Sequence, residues 1–559
     1  MPDARNDTAE PPLTITRLLL DRADDDRVGL RFEDRSWTWR EHVEASARWA
    51  TWMLDHRDPD RPFHVGVLLD NVPEFSFVLG AAALCGAVIV GVNPTRRGAE
   101  LTRDIAHTDC QLIVTERRHL PLLHDAGAVL PDGRTIVVDD PGTEAMIAAL
   151  EPVAEYATPD EGDLLMLIFT SGTSGAPKAV RCTHRKIAGP GVNLAARFGL
   201  NGDDVCYLSM PLFHSNAMMA GWSPALAAGA TMVFARKFSA SGFLPDIRRY
   251  GGTYANYVGK PLAFILATPE QPDDAVNTLR VAFGNEGSNR DIVEFGRRFG
   301  CTVVDGFGST EGGVNVNRTP DAPSNSIGRP MPGVSLRDPA TMEECPPARF
   351  DEHGVLLNAE QAIGEIVNTA GAGAFEGYYR NDSADEERMR NGWYWSGDLA
   401  YADEAGFYYF AGRTLDWLRV DGENFAAAPV ESLLLRHPDV VLAAVYAVPA
   451  PDTGDEVMAS LVLRDGATFD PRGFETFLAT QDDLGMKWAP RFVRIAAELP
   501  QTATNKILKR VLVTERWAGS GEFWWRPGRG HNYQPFDDDA RTAHAAAFAA
   551  HGRTELLHP

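Results

Sequence analysis

The chain has 559 residues, with 44% hydrophobic and 23% charged. That is too long for a single hydrophobic core and too apolar for wholesale disorder. The net charge of −24 makes the chain a poor candidate for coating a nucleic-acid backbone or an anionic membrane, so any phosphate must be bound by local devices. Lysine is scarce: Lys178, Lys186, Lys237, Lys260, Lys487, Lys506 and Lys509 are the only seven among 53 basic residues.

The N-terminal segment MPDARNDTAEPPLT is polar and carries no signal-peptide pattern. The six cysteines form no CxxC pair, which argues against a zinc ribbon and fits a reducing, cytoplasmic compartment. Phe75 to Val92 is uncharged and long enough to raise the question of a membrane span. Its texture changes at Gly86, and it reads as a buried helix, a glycine stop and a buried strand.

Buried strands are expected at 65–69, 87–92, 111–116, 164–170 and 230–235, with helices between them such as 101–109. Continuous rather than alternating apolar runs imply mainly parallel sheets and an α/β body. Two aromatic strands flanking Asp403-Glu404-Ala405-Gly406 predict a hairpin. A smaller unit begins beyond Arg413, with strands at VVLAAVYAVP, MASLVLRD and RFVRIAAELP. The tail after Trp517 reads as a polar surface wrap.

The strongest local signal is LLMLIFTSGTSGAPKAV at 164–180. A buried strand runs into Thr170-Ser171-Gly172-Thr173-Ser174-Gly175-Ala176-Pro177-Lys178. Small residues let backbone N–H groups converge on an anion, hydroxyls add donors and the lysine neutralises charge, which suits a polyphosphate. The spacing is not that of the Walker loop.

This loop resembles the signature of the adenylate-forming superfamily, which includes acyl-CoA synthetases, firefly-type luciferases and adenylation domains. Further motifs follow in the family's order. Pro211-Leu212-Phe213-His214 resembles the acyl-site motif. Asp305-Gly306-Phe307-Gly308-Ser309-Thr310-Glu311-Gly312 resembles the YGxTE motif. Ile363-Gly364-Glu365-Ile366, Tyr394-Trp395-Ser396-Gly397-Asp398, Gly412-Arg413-Thr414-Leu415-Asp416 and Pro500 to Lys506 match the remaining ones. The resemblance spans about 30–515. GNEG at 284–287 and GENF at 422–425 look most like the fatty acid transport protein and very-long-chain acyl-CoA synthetase branch.

The resemblance implies an α/β fold: a large N-terminal domain, 1–415, of several subdomains with mainly parallel sheets, and a small mobile α+β C-terminal domain, 416–559. It implies an ATP-dependent acyl-CoA ligase that converts a fatty or other hydrophobic carboxylic acid to acyl-AMP and then to the CoA thioester. ATP, Mg²⁺ and coenzyme A are the implied cofactors. Lys506 would be the catalytic cation, with Thr310 on the α-phosphate, Glu311 on Mg²⁺ and His214 as an acyl-tunnel gate. Thr170 to Gly175 and Lys178 would hold phosphates. Gly284, Asn285, Glu286, Asp305, Gly306, Phe307, Gly308, Asp398 and Arg413 would hold the nucleotide, Gly422 would face the pantetheine path, and Asp416 would be the hinge. Ala217 to Trp222 could line an acyl pocket or be helix core.

Three readings compete: an acyl-CoA ligase; a fatty acyl-AMP ligase or carrier-protein loader; and a non-enzymatic nucleotide sensor. The segment PLFHSNAMMAGW has no acidic residue to pair an α-ammonium, which weighs against an amino-acid substrate. Joint retention of Lys506, Glu311 and Asp398 weighs against the sensor. Nucleic acid is not an expected partner. Peripheral membrane contact and a homodimer stay open.

Overall fold

The structure, a computed structural model, describes residues 12–557 except 131–132, 171–177, 320, 324–325, 352–355, 414–416, 421–422, 453, 482–483, 485–487, 503–505 and 529–531. Among the described residues, three larger sheets and the two-stranded pair Val316–Asn317 with Arg329–Pro330 build the large unit. The first orders Thr135–Val137, Leu112–Thr115, His64–Leu68, Val88–Gly91, Leu164–Thr170 and Lys178–Thr183, all parallel except the last pair. The second orders Thr302–Gly306, Val281–Asn285, Tyr254–Val258, Val205–Leu208, Thr231–Phe234, Val28–Phe32 and Arg35–Thr38, antiparallel only at the final pair. Their Val-, Ile- and Leu-rich strands are buried on both faces, as parallel sheets require. The third sheet is antiparallel and joins Val334–Arg337, Gly364–Asn368, Trp393–Ala402 and Tyr408–Arg413.

The uncharged run resolves into the helix Pro73–Cys85, Gly86 at φ +74°, and the strand Val88–Gly91. Eleven of the thirteen helix residues are buried. A Cβ on Gly80 would sit 2.4 Å from Ser46 Oγ, so the missing side chain lets this helix lie against the helix Trp39–Asp55. No helix among the described residues is long and apolar enough to cross a membrane. The expected hairpin forms between Trp393–Ala402 and Tyr408–Arg413, with Gly406 at φ +80° in its turn.

The C-terminal unit contains a hairpin of Trp417–Val420 and Glu423–Ala426. It continues in a mixed sheet that orders Val440–Pro449, Asp455–Leu463, Phe492–Ile495, Glu522–Trp525 and Gln534–Pro535.

The tail corrects the sequence reading. Glu522–Trp525 pairs with Phe492–Ile495, placing Trp525 opposite Phe492, and Gln534–Pro535 extends the sheet. The helix Asp538–Ala550 buries His544 and Phe548. The His544 ring lies 4.9 Å from Trp517 and 5.3 Å from Phe492, and Phe548 is fully buried beside Trp517. A few aromatics among many polar residues dilute the average composition, yet they close one face of this sheet.

Candidate active site

The seam between the two units is a cleft of about 2410 Å³. Thr170, Lys178, His214, Asn285, Glu286, Asp305, Gly306, Phe307, Gly308, Thr310, Glu311, Asp398 and Lys506 all line it, although they come from separate parts of the chain. Five of the seven lysines, Lys178, Lys186, Lys260, Lys506 and Lys509, also face it.

The strand Leu164–Thr170 delivers Thr170 to the floor, where its Oγ1 donates to Glu311 Oε1 at 3.3 Å. Glu311 is 7% exposed, and the same Oε1 accepts from the Tyr378 hydroxyl at 3.0 Å. Arg388 Nε donates to that hydroxyl at 3.3 Å. Lys186 Nζ donates to the Glu311 carbonyl at 3.0 Å. The carboxylate is thus fixed by neutral hydroxyls with cations nearby, so an anionic ligand can enter without meeting an uncompensated charge. Thr310 Oγ1 and Ser215 Oγ share a hydrogen bond of 2.7 Å.

Lys178 opens the strand after the glycine loop. Its Nζ contacts Glu387 Oε2 at 2.7 Å and holds that carboxyl below its ordinary range. It also lies 5.4 Å from the Tyr378 ring centre.

Asp305 is the penultimate residue of the strand Thr302–Gly306. Its Oδ2 accepts from the Tyr257 hydroxyl and from the Gly287 N–H, each at 2.8 Å. Burial outweighs these donors and pushes the carboxyl up to about 7. Asn285 Nδ2 donates to the Gly306 carbonyl at 2.7 Å, and Asn216 Nδ2 donates to the Tyr257 carbonyl at 2.9 Å. Gly284 does not line the cleft; it permits strand pairing, because a Cβ there would lie 2.2 Å from the Tyr257 carbonyl oxygen. Phe307 is half-buried, its ring 6.1 Å from that of Phe410, while a Cβ on Gly308 would meet nothing within 4 Å.

The His214 ring lies tilted against that of Phe213, 5.0 Å between centres, and burial, then the Lys506 charge, pushes its imidazole down to about 3. It is therefore neutral at physiological pH. The following helix contains a single π turn, Met218–Trp222. This turn divides the apolar run: Met219 and Ala220 face the cleft, while Met218 and Trp222 are core, with Trp222 Nε1 donating to Ser76 Oγ at 2.7 Å.

Asp398 lies on Trp393–Ala402 at 6% exposure, after Gly397, whose φ is +75° and whose N–H donates to Glu365 Oε1 at 2.6 Å. Its backbone pairs with Arg413. Lys506 reaches in from the C-terminal unit, 2.6 Å from Glu286 Oε1. Its own backbone is held by a reciprocal pair: Thr502 N–H donates to the Lys506 carbonyl at 2.8 Å, and Lys506 N–H to Thr502 Oγ1 at 3.1 Å.

Ser171, Gly172, Thr173, Ser174 and Gly175, with Asp416 and Gly422, lie outside the described residues. Sequence reasoning missed Lys186, Ser215, Tyr257, Tyr378 and Arg388. Lysine scarcity alone would have pointed to Lys186; the others carry no local signal. Among the described residues, Asp70, Glu116 and His119 form the one cluster of three or more metal-capable groups. It lies apart from the cleft, and Arg118 and Arg236 neutralise it.

Comparison with known proteins gives family matches over most of the chain. The AMP-binding enzyme family matches residues 21–379, and the AMP-binding enzyme C-terminal domain matches 429–506. The chain is 51% identical to the steroid-22-oyl-CoA synthetase of Rhodococcus jostii, over 98% of this chain and 99% of that protein. It is 52% identical to the medium/long-chain-fatty-acid–CoA ligase FadD17 of Mycobacterium tuberculosis, over 91% and 98%. The fold matches ATP-bound MatB from Rhodopseudomonas palustris with a TM-score of 0.75 at 23% identity, covering 90% of this chain and 98% of that one. It matches MenE from Bacillus subtilis in complex with AMP with a TM-score of 0.72 at 24% identity, covering 90% and 98%.

Proposed function

The chain belongs to the AMP-binding enzyme family, and on that premise we propose a bulky hydrophobic acid as its substrate and the cleft residues as its machinery. It is an AMP-forming acyl-CoA ligase with ATP and coenzyme A as co-substrates. The acid's carboxylate oxygen bonds to the α-phosphorus and pyrophosphate leaves. The CoA thiolate then bonds to the acyl carbon and AMP leaves.

Both partners of the first step are anions, so the barrier is electrostatic and placed cations lower it. Lys506 neutralises the approach of carboxylate to α-phosphate. The observation that carries this reading is that Lys506, from the far end of the chain, enters the same cleft as Thr310, Glu311 and Asp398. Lys178, beside the glycine loop, neutralises phosphate. Thr310 and Ser215 offer hydroxyl donors. Asp398 accepts from ribose hydroxyls, as a carboxylate with two oxygens can. Neutral His214 leaves the acyl path without a competing charge.

Glu311 fits Mg²⁺. Its fixed carboxylate accepts from the hydroxyls of Thr170 and Tyr378, and this cation takes one or two carboxylates together with substrate phosphates. Bound there, the ion would supply charge neutralisation to the phosphates. The division into units 1–415 and 416–559 belongs to the same reading; the match of a separate C-terminal family domain at 429–506 supports it.

Two things support a hydrophobic acid. Met219 and Ala220 present an apolar, adaptable wall. Relatives at 51% and 52% identity are named for a steroid side-chain acid and for medium and long fatty acids. The test is turnover of the purified chain with ATP, Mg²⁺, CoA and a panel of acetate, medium and long fatty acids, a steroid side-chain acid and amino acids. Thioesters of the large hydrophobic acids are expected, and none of acetate or the amino acids. Acyl-AMP that accumulates and never passes to CoA would contradict the ligase.

A further inference from the structure

Two contacts join the 286–290 turn of the large unit to the C-terminal unit. Lys506 Nζ meets Glu286 Oε1 at 2.6 Å. Four residues further on, Arg290 Nη1 donates to the carbonyl oxygens of Leu435 at 2.9 Å and His437 at 3.2 Å, just past the end of the helix Ala427–Leu434. A cation at those C-terminal carbonyls also faces the negative end of the helix dipole.

The turn that carries Glu286 and the helix start that carries Arg290 are pinned from within the large unit. Asn285 donates to Gly306, the Gly287 N–H donates to Asp305, and Ser288 caps the helix Asn289–Phe299 through the Asp291 N–H at 3.1 Å. Glu286 has φ +68°, a left-handed backbone that glycine adopts freely and a glutamate adopts under strain. A side chain kept at a strained position calls for a use of that side chain, and here the carboxylate holds Lys506.

We propose that Glu286 and Arg290 are positioning residues. They form a two-point clasp that keeps the C-terminal unit in the orientation presenting Lys506 to the cleft, and they set the share of enzyme poised for adenylation. This rests on the assignment of Lys506 given above. Both members of the Glu286–Lys506 pair are about half-exposed, at 45% and 40%, so the contact is weak and reversible. That suits a link that must open before CoA attacks.

The test compares the two half-reactions in Glu286→Gly and Arg290→Ala. Glycine accepts the left-handed backbone, so Glu286→Gly removes the carboxylate without straining the fold. Pyrophosphate release in a single turnover with acid and ATP should slow about 3-fold in each variant, the order set by one half-exposed contact, and further in the double variant. In Arg290→Ala, thioester formation from supplied acyl-AMP and CoA should stay the same or quicken, and Glu286→Gly should show no drop in melting temperature. Equal slowing of both half-reactions in Arg290→Ala, slowing of the second alone, or no change in adenylation in either variant would overturn the clasp. Failure of the unaltered enzyme to form acyl-AMP from any acid would instead overturn the parent reading, and the clasp with it.

Discussion

At the scale of single residues, the two motif lysines of the cleft are each paired with a glutamate, Lys178 with Glu387 and Lys506 with Glu286. Lys506→Ala should lower adenylation by about 10²-fold or more, the scale of losing one preorganised group at developing charge. It should leave thioester formation from supplied acyl-AMP intact; rapid-quench assays of the two half-reactions check both.

Asp305 gives a pH prediction. Burial raises its folded pKa to about 7, so the folded state binds more protons than the unfolded state between the ordinary carboxylate range and 7. Stability from this group is therefore present at low pH and lost as pH rises through that window. Asp305→Asn keeps an oxygen to accept from Tyr257 and Gly287 and removes the titration. Its melting temperature should exceed the unaltered enzyme's by about 2 °C at pH 8, with the gain gone by pH 4. An equal gain at both values would contradict the assignment.

At the scale of elements, legibility followed how local the cause was. The strand Leu164–Thr170 and the change at Gly86 are written in adjacent residues, and both form where expected. Asp305, Phe307, Thr310 and Glu311 were readable because one short motif contains them all. Tyr378 and Arg388 were not, since their roles exist only once Tyr378, bridged to Val180, and Arg388, at the end of the helix Asp382–Arg388, come together beside Glu311. The π turn at Met218–Trp222 was hidden for a similar reason: an all-apolar run has no period to show which side faces the cleft. The C-terminal tail was misread because burial of His544 and Phe548 depends on strands far upstream. Phe548→Ala should cost about 3–5 kcal/mol, the range for emptying a packed aromatic site. Chemical denaturation followed by tryptophan fluorescence measures it, and a cost under about 1 kcal/mol would return the tail to the surface role.

At the scale of the whole molecule, a chain of net charge −24 gathers five of its seven lysines around one cleft. Composition bias toward arginine accounts for the background; it does not account for that placement. Arginine elsewhere serves fixed, forked contacts such as Arg298 with Asp274 and the Thr268 carbonyl. Under the proposed reading, a compact ammonium suits a site whose partners change between two half-reactions. The large unit lines the cleft from its sheets, and Lys506 enters the same cleft from the C-terminal unit.

The central claim is that the acid's own carboxylate attacks the α-phosphate of ATP. A hydrophobic acid labelled with ¹⁸O in its carboxylate tests it most directly, by mass spectrometry of the nucleotide released during CoA thioester formation. The account predicts AMP carrying one ¹⁸O atom. Unlabelled AMP, or release of ADP and labelled phosphate, would contradict it.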